Sequence, residues 1–357
     1  MGFKCGIVGL PNVGKSTLFN ALTNSSKAQA ENFPFCTIDP NIGLVPVVDK
    51  RLDKLSEISN SKKKIYTSIS FVDIAGLVKG ASKGEGLGNK FLSHIREVDA
   101  IIHMIRCFDS VDIQNVNTSV DPLRDLEIIE TEMKLADLES IQKRLDKKNK
   151  KNLTKNQIEI LEIALNCISE DKSFDIITDK FEKKDTNSSG LLSIKPKLYV
   201  CNVDEKSVPN GNKYTENFIS KFGENDTLII SADIENQLNQ LNGQERKNYM
   251  EMINLKEDGL NKLIRKGYNL LSLNTFFTSG PEESRAWTIN KNCLAPKAAA
   301  EIHTDFEKGF IRAETISYKD FIESEGWLNS KNNGKMRLEG KDYIVKDGDI
   351  LNFRFNT

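Results

Sequence analysis

The sequence predicts an α/β protein with a wound, mostly parallel sheet, followed by a smaller α+β domain at its carboxyl end. Two observations predict the sheet. Short apolar runs alternate with amphipathic stretches over the first two thirds of the 357 residues, and the polar motifs described below follow directly after those runs. A parallel sheet of this kind binds ligands at the carboxyl ends of its strands. The candidate strands cover residues 4–8, 68–72, 100–106, 198–202 and 227–231.

The sheet pattern is interrupted over residues 121–195. Apolar residues recur there at spacings of three and four, first from Leu126 to Leu145 and again from Ile158 to Ile168, which predicts two helices. The segment between them is polar and rich in lysine. We therefore expect an inserted, antiparallel coiled-coil hairpin with a basic tip. Two interpretations of the tip stay open: an ordinary solvated turn, or an arm whose lysines contact RNA phosphates.

The sequence pattern changes near residue 274, which predicts a separate carboxyl-terminal domain. Short strands and turns follow, and Asp347-Gly348 between two alternating runs is a strong turn signal. This part contains no evident catalytic constellation, so we predict a compact α+β binding domain. Its small core would draw on Trp287, Phe306, Phe310, Tyr318 and Phe321. The predicted domains are residues 1–120 with 196–273 for the sheet, 121–195 for the insertion, and 274–357 for the last domain.

Composition narrows the class of protein. Lys and Arg number 50 against 51 Asp and Glu, a net charge of −1, so any nucleic-acid contact must come from a local patch. The six cysteines show no paired or metal-binding spacing and indicate reduced thiols. No apolar run approaches the roughly 20 residues needed to span a bilayer. We expect a cytoplasmic monomer that does not contact a membrane.

The most informative motif is Gly9-Leu-Pro-Asn-Val-Gly-Lys15-Ser16-Thr17, which fits the pattern G-x-x-x-x-G-K-S/T between a candidate strand and a helical run. Backbone N–H groups of such a loop wrap a triphosphate, and the helix N-terminus adds positive charge. The Lys15 ammonium would reach the β- and γ-phosphates, and the Ser16 hydroxyl would ligate Mg²⁺. The motif therefore predicts a nucleoside triphosphate site. The predicted phosphate-binding residues are Asn12, Val13, Gly14, Lys15, Ser16 and Thr17.

Two further segments fit the γ-phosphate side of such a site. Asp73-Ile-Ala-Gly76 follows a candidate strand and supplies a Mg²⁺-linked acid and a glycine that senses the γ-phosphate. Thr37 is expected to be the second hydroxyl near Mg²⁺. Residues 77–88 are rich in glycine and are interpreted as a switch that orders around the γ-phosphate and relaxes after hydrolysis, with a plain flexible linker as the alternative.

The sequence departs from an ordinary GTPase of this fold at two places. Leu77 follows Gly76 where such enzymes usually carry a glutamine that orients the attacking water, so hydrolysis should be slow. The base-reading segment is Asn202-Val-Asp-Glu205 instead of Asn-Lys-x-Asp, which favours adenine over guanine. Asn202 and Val203 are expected to contribute contacts to the base beside Glu205. Ser231 and Ala232 resemble the last loop along the sequence that lies beside the base in GTPases of this fold.

These residues together resemble the YchF (Obg-like ATPase) family, a branch of the Obg-related P-loop proteins. The similarity covers the whole chain. It is carried by residues 1–17, 32–37, 71–89, 202–205, 286–289 and 302–311. The resemblance implies an interrupted GTPase-type domain, a coiled-coil insertion and a carboxyl-terminal TGS domain of β-grasp fold. It also implies ATP binding, slow Mg²⁺-dependent hydrolysis aided by K⁺, and association with the ribosome or its RNA. Asn12 would be the K⁺ ligand.

One position departs from the family pattern. Members typically carry a histidine shortly after Arg-Cys-Phe that is proposed to replace the missing glutamine, whereas this chain has Asn115. Asparagine orients a water molecule but cannot accept its proton. His94 is the remaining nearby candidate, although a structural or solvent-facing role fits it as well. The predicted catalytic set is Lys15, Gly76, Asn115 and His94.

Three functions are therefore compared. The first is a slow ATPase switch that binds ribosomes. The second is a GTPase of the same fold, in which Glu205 accepts guanine. The third is a nucleotide-gated RNA-binding module with negligible turnover, which Leu77 and Asn115 would also suit.

Overall fold

The structure is a computed structural model that describes residues 3–29, 41–74, 87–110, 119–147 and 149–356. Within these ranges, none of the helices is long and apolar enough to cross a membrane. The strands are β1 (Lys4–Val8), β2 (Ile42–Val47), β3 (Lys63–Ile65), β4 (Thr67–Asp73), β5 (Ala100–Arg106), β6 (Lys197–Asn202), β7 (Thr227–Ile230), β8 (Leu273–Ser279), β9 (Glu283–Asn290), β10 (Phe310–Ile316), β11 (Arg337–Glu339) and β12 (Ile350–Phe355). The α-helices are α1 (Lys15–Gln29), α2 (Lys50–Ile58), α3 (Leu87–Arg96), α4 (Pro122–Leu145), α5 (Lys155–Ser169), α6 (Asp175–Lys180), α7 (Lys183–Ser189), α8 (Lys213–Phe222), α9 (Ala232–Leu238), α10 (Gly243–Met252), α11 (Gly259–Leu270), α12 (Ala295–Ile302), α13 (Thr304–Lys308), α14 (Tyr318–Glu323) and α15 (Trp327–Asn332).

The first sheet has the strand order β2-β4-β1-β5-β6-β7. Its neighbouring strands are parallel except for β2, which runs antiparallel to β4. Strand β5 is buried along its whole length, as expected of a central strand in a sheet covered on both faces. The wound sheet is confirmed, and each of the five predicted strands matches an observed strand to within one residue at either end. Its parallel strands end at one edge, where the site lies.

Strand β2 is absent from the sequence prediction. Its sequence Ile-Gly-Leu-Val-Pro-Val contains a glycine and a proline, which obscure a strand pattern. The strand lies at the edge of the sheet, where a proline is tolerated because the outer side needs no ladder hydrogen bond.

The predicted insertion is a helical arm, residues 121–195, whose two long helices are α4 and α5. Asp121 caps α4 by accepting from the Arg124 N–H, and Thr154 forms a reciprocal capping box with Gln157 at the start of α5. The short helices α6 and α7 are additions that the sequence pattern does not predict. They pack against α5 and help to enclose the apolar core of the arm.

The carboxyl-terminal domain has a second sheet with the order β11-β10-β12-β8-β9-β3. Strands β8 and β9 form a hairpin, α12 crosses one face, and β12 returns to lie parallel to β8 in the middle. This arrangement is the expected β-grasp. The turn at Asp347-Gly348 is also confirmed, because Gly348 has a φ of +86° and lies just before β12.

A segment from the amino-terminal part of the chain completes this second domain. Residues 49–66, here called the linking segment, contain α2 and β3, and β3 pairs in parallel with β9. Leu52 and Leu55 of α2 are fully buried among residues of the second domain, including Phe277 and Phe321. The linking segment therefore joins the two sheets, since its neighbours β2 and β4 belong to the first.

A charged cluster fixes the start of the linking segment to the second domain. The Arg51 guanidinium contacts the Asp49 carboxylate at 2.7 Å and the Asp347 carboxylate at 2.6 Å, and it lies 5.2 Å from the centre of the Phe277 ring. Asp347 also accepts a hydrogen bond from the Thr275 N–H at 2.8 Å. Arg51 thus connects α2 with β8 and the turn before β12.

We predict that Leu55→Ala destabilises the carboxyl-terminal sheet although Leu55 precedes that domain by more than 200 residues in the sequence. Truncating a fully buried leucine costs roughly 2–5 kcal/mol. Hydrogen exchange followed by mass spectrometry should show faster exchange in β8 and β12. Leu161→Ala, which truncates a buried leucine of the helical arm, is the control and should leave β8 and β12 protected. Equal exchange of these strands in wild type and Leu55→Ala would contradict the assignment.

Candidate nucleotide site

The phosphate-binding loop lies between β1 and α1, as predicted. Asn12 and Gly14 have φ angles of +64° and +93°, the left-handed region that allows a tight turn. A Cβ at Gly14 would collide with the amide nitrogen of Asn202, and one at Gly9 would lie 2.7 Å from the Met104 carbonyl oxygen. Close packing against β5 and β6 therefore requires glycine at positions 9 and 14, and at position 14 the left-handed backbone requires it as well.

The structure brings Lys15 and Asp73 into direct contact. The Lys15 ammonium forms an ion pair with the Asp73 carboxylate, and the two side chains are only 12% and 18% exposed. Lys15 begins α1 and Asp73 ends β4, so the contact joins two elements separated by 58 residues. Ser16, which follows Lys15 in the first turn of α1, is exposed. The sequence predicted all three residues for one site, and the fold places Lys15 and Asp73 together.

These residues suit Mg²⁺. A hydroxyl and a carboxylate are the hard oxygen ligands that Mg²⁺ prefers, and this ion usually combines one or two protein ligands with phosphate oxygens and water. Among the described residues there is no group of three His, Cys, Asp or Glu side chains that could form a cage made of protein alone. The donor set therefore fits Mg²⁺ that is bound together with a triphosphate.

Asn202 connects the base-reading segment to the phosphate loop. It is buried at the end of β6, and its amide nitrogen donates to the Val13 carbonyl at 2.9 Å. Its amide oxygen accepts from the Ala232 N–H at 3.0 Å. Within the residues that the structure describes, the second N–H of the amide has no partner, and it suits the N7 atom shared by adenine and guanine.

The other residues of that segment have distinct surroundings. The Val203 N–H is bonded to the Ile230 carbonyl, and the Val203 side chain is buried. The Asp204 carboxylate caps the following 3₁₀ turn. Glu205 is exposed, and its Oε1 accepts from Gln237 Nε2 at 2.8 Å. Of the two carboxylates in this segment, the predicted Glu205 is the one that is not used for capping.

Ser231 and Ala232 are buried at the start of α9, where Ser231 is the N-cap. One turn further, Glu235 is buried and accepts hydrogen bonds from the N–H groups of Gly259 and Leu260 at the start of α11. Burial raises the pKa of Glu235 to about 7, and the nearby charge of Asp258 acts in the same direction. Sequence patterns did not single out Glu235, because its partners lie more than 20 residues away.

The structure describes only some of the residues that are predicted to take part in catalysis. His94 lies on α3 and is exposed. Thr37, Gly76, Leu77 and Asn115 fall outside the described residues. His103 lies in β5, as the sequence predicts, and burial lowers its pKa to about 3, so it remains neutral in the core.

The fold and the loop define a P-loop nucleotide-binding protein of the GTPase type. Residues 4–130 match the family described as 50S ribosome-binding GTPase, and residues 273–356 match YchF-GTPase_C, described as a protein of unknown function. The chain is 49% identical over 366 residues to the Ribosome-binding ATPase YchF of Haemophilus ducreyi and 47% identical over 368 residues to that of Bacillus subtilis, with 100% of each chain covered. The solved structure of the Schizosaccharomyces pombe YchF GTPase is similar with a TM-score of 0.87 and 37% identity, covering 99% of this chain and 98% of that one. The chain belongs to the YchF family.

We predict that stability depends on pH through Glu235. Because its pKa is about 7 when folded and near 4.5 when unfolded, its stabilising contribution is complete below about pH 4.5 and is lost as the pH rises through 7. Glu235→Gln removes this titration. Between pH 5 and pH 8, the free energy of unfolding of wild type should fall relative to Glu235→Gln by roughly 2–3 kcal/mol. Chemical denaturation at both pH values measures this difference, and the exposed Glu245→Gln is the control. A constant difference between wild type and Glu235→Gln would refute the assignment.

Proposed function

We propose that this chain is a ribosome-associated ATPase that binds ATP with Mg²⁺ and hydrolyses it slowly. The observation that carries the proposal is the contact of Lys15 with Asp73 beside the phosphate loop, in a chain nearly half identical over its full length to proteins named Ribosome-binding ATPase. The hydrolysis would act as a switch, with residues 77–88 responding to the γ-phosphate. The relatives' names favour a cytoplasmic protein, and we expect it to act as a monomer.

The surroundings of the base support ATP over GTP. Guanine presents O6 as an acceptor where adenine presents N6 as a donor. The Ala232 N–H is already donated to Asn202, so it is not offered to O6. The carboxylate of Glu205 suits a donor such as N6. Val203 in place of the lysine removes a contact that is typical of guanine sites.

At the phosphates, each residue has a definite role in this proposal. The Lys15 ammonium would exchange its contact with Asp73 for phosphate oxygens, which frees the Asp73 carboxylate to join Ser16 and Thr37 on the metal side. Mg²⁺, when bound, would neutralise charge that develops on the phosphate oxygens. The backbone of the loop and the start of α1 would orient the triphosphate.

The slow rate in this proposal follows from what is missing around the attacking water. Leu77 cannot form a hydrogen bond, so water orientation would fall to Asn115 or His94, with the Gly76 N–H near the γ-phosphate. Asn12, in its left-handed conformation within the loop, would hold K⁺ through its side-chain oxygen. Neither asparagine accepts a proton, so we expect turnover to remain slow even with K⁺.

The tip of the helical arm is our candidate for ribosome contact. Lys147, Lys151 and Lys155 are exposed, and none has an acidic partner within 4.0 Å in the part of the chain that the structure describes. By contrast, Lys150 pairs with Glu162 at 2.8 Å. Lysines without acidic partners are available to RNA phosphates. The carboxyl-terminal domain, which we regard as TGS-like, would provide a second contact, because the linking segment connects it to the nucleotide domain.

We predict a clear preference for ATP in equilibrium titrations with non-hydrolysable ATP and GTP analogues in Mg²⁺ buffer, repeated with K⁺ and with Na⁺. Lys15→Ala should lose tight binding of both analogues and nearly all hydrolysis, because it removes the charge that meets the β- and γ-phosphates. The exposed Lys90→Ala on α3 is the control. Equal or tighter binding of the GTP analogue would favour the GTPase alternative, in line with the name of the S. pombe YchF GTPase. Unchanged hydrolysis in Lys15→Ala would refute the site.

We predict that replacing Lys147, Lys148, Lys150 and Lys151 by alanine weakens ribosome binding and flattens its salt dependence. Each lost phosphate contact should reduce the slope of log K against log salt by roughly 0.7–0.9. Co-sedimentation with ribosomes at several salt concentrations measures this slope. The matched control replaces four exposed lysines of the nucleotide domain, Lys213, Lys221, Lys247 and Lys256, and should leave the slope unchanged. Replacing four exposed lysines of the carboxyl-terminal domain, Lys297, Lys308, Lys319 and Lys341, measures the second contact. A loss of binding in that last variant alone would transfer the contact to the carboxyl-terminal domain.

A further inference from the structure

A chain of hydrogen bonds leads away from the base-reading carboxylate. Gln237 Nε2 donates to Glu205 Oε1 at 2.8 Å, and the Tyr249 hydroxyl donates to Gln237 Oε1, also at 2.8 Å. Gln237 lies on α9 and Tyr249 on α10, so three separate elements meet beside the base position. Partial burial raises the pKa of the Tyr249 hydroxyl, and the negative charge of Glu205 raises it further, which is consistent with this proximity.

The elements that carry this chain are fixed to the rest of the nucleotide domain. Asn239 at the end of α9 donates to the Ala21 carbonyl of α1 at 2.6 Å. Arg246 of α10 donates to the Leu238 carbonyl at 3.0 Å and to the Asp258 carboxylate at 2.7 Å. Arg246 and Tyr249 are three residues apart and therefore lie on the same side of α10. Tyr249 is thus held in place by contacts that do not involve the base.

The chemistry of the two purines gives this arrangement a consequence. Guanine presents two adjacent donors, N1–H and N2–H₂, which match both oxygens of a carboxylate at once, whereas adenine presents a single exocyclic donor, N6–H₂. In this chain one oxygen of Glu205 already accepts from Gln237. The Gln237 N–H competes with a guanine donor for that oxygen and fixes the rotation of the carboxylate, whereas the single donor of adenine can use the other oxygen.

We propose that Gln237 is a specificity-determining residue that acts through Glu205, and that Tyr249 holds Gln237 in the orientation this requires. Gln237 is a positioning residue and does not itself need to contact the nucleotide. The proposal rests on the proposed function, because it assumes that Glu205 faces the base of ATP. The proposal attributes part of the preference for ATP to a residue outside the base-reading segment.

The test is the ratio of affinities for ATP and GTP analogues in Gln237→Leu, a substitution that keeps volume but removes the donor. We expect this ratio to fall about tenfold, chiefly through tighter binding of the GTP analogue, and to fall two- to threefold in Tyr249→Phe. An inosine triphosphate analogue sharpens the test, since it has N1–H but lacks the N2 amino group. Its affinity should rise less than that of the GTP analogue.

Two controls separate this role from a general structural one. Gln244→Leu makes the same substitution on α10, where the side chain contacts Asn248 instead of Glu205, and should leave the ratio unchanged. In a Glu205→Ala background, Gln237→Leu should have no further effect on the ratio, because the residue through which it acts is gone.

The outcomes distinguish the inference from the function on which it rests. Normal ATP preference in wild type with an unchanged ratio in Gln237→Leu overturns the inference alone. A persistent effect in the Glu205→Ala background overturns the route through Glu205. Wild type that shows no preference for ATP overturns the proposed base assignment, whatever the variants do.

Discussion

The two hydrogen bonds of the Asn202 amide are the interactions on which the rest of the nucleotide site depends. The amide joins three loops that come from distant parts of the sequence: the phosphate loop through Val13, the end of β6, and the start of α9 through Ala232. This close approach is also why position 14 is a glycine. A single buried side chain therefore sets the distance between the phosphate loop and the segment that we propose reads the base. Buried polar groups of this kind specify geometry because leaving any of them unpaired is costly.

The second organising feature is the route of the chain between β2 and β4. It leaves the first sheet after Val47, contributes α2 and β3 to the second domain, and returns to end at Asp73. The acid that faces Lys15 thus lies eight residues after the end of β3, a strand of the other sheet. Because packed elements shift as units and not continuously, a change at the end of β4 has a short mechanical path to the carboxyl-terminal domain. That path supports the idea of a switch more directly than the composition of residues 77–88 does.

Local signals account for what could be predicted from the sequence. The five parallel strands contain short apolar runs, and the phosphate loop is a contiguous motif, so both could be predicted without tertiary information. Strand β3 could not be predicted, because Lys63-Lys64-Ile65 has no apolar pattern and becomes a strand only by pairing with β9. The contact of Gln237 with Glu205 spans 32 residues and follows no motif. Residues that belong to motifs, such as Lys15 and Asp73, could therefore be grouped from the sequence even across 58 residues, whereas contacts outside any motif could not.

The position of β3 also has a consequence for how the protein is made. Lys62 pairs with Glu282, 220 residues further along the chain. The buried residues that cluster with Leu52 and Leu55 lie between Phe277 and Ile350. At about 5–20 residues per second, the ribosome needs roughly ten seconds or more to deliver those partners. During that time a nascent amphipathic helix stays uncovered while the phosphate loop behind it is already synthesised. The final architecture can close only when the last domain emerges, so a truncated chain would lack a folded linking segment as well as its carboxyl end.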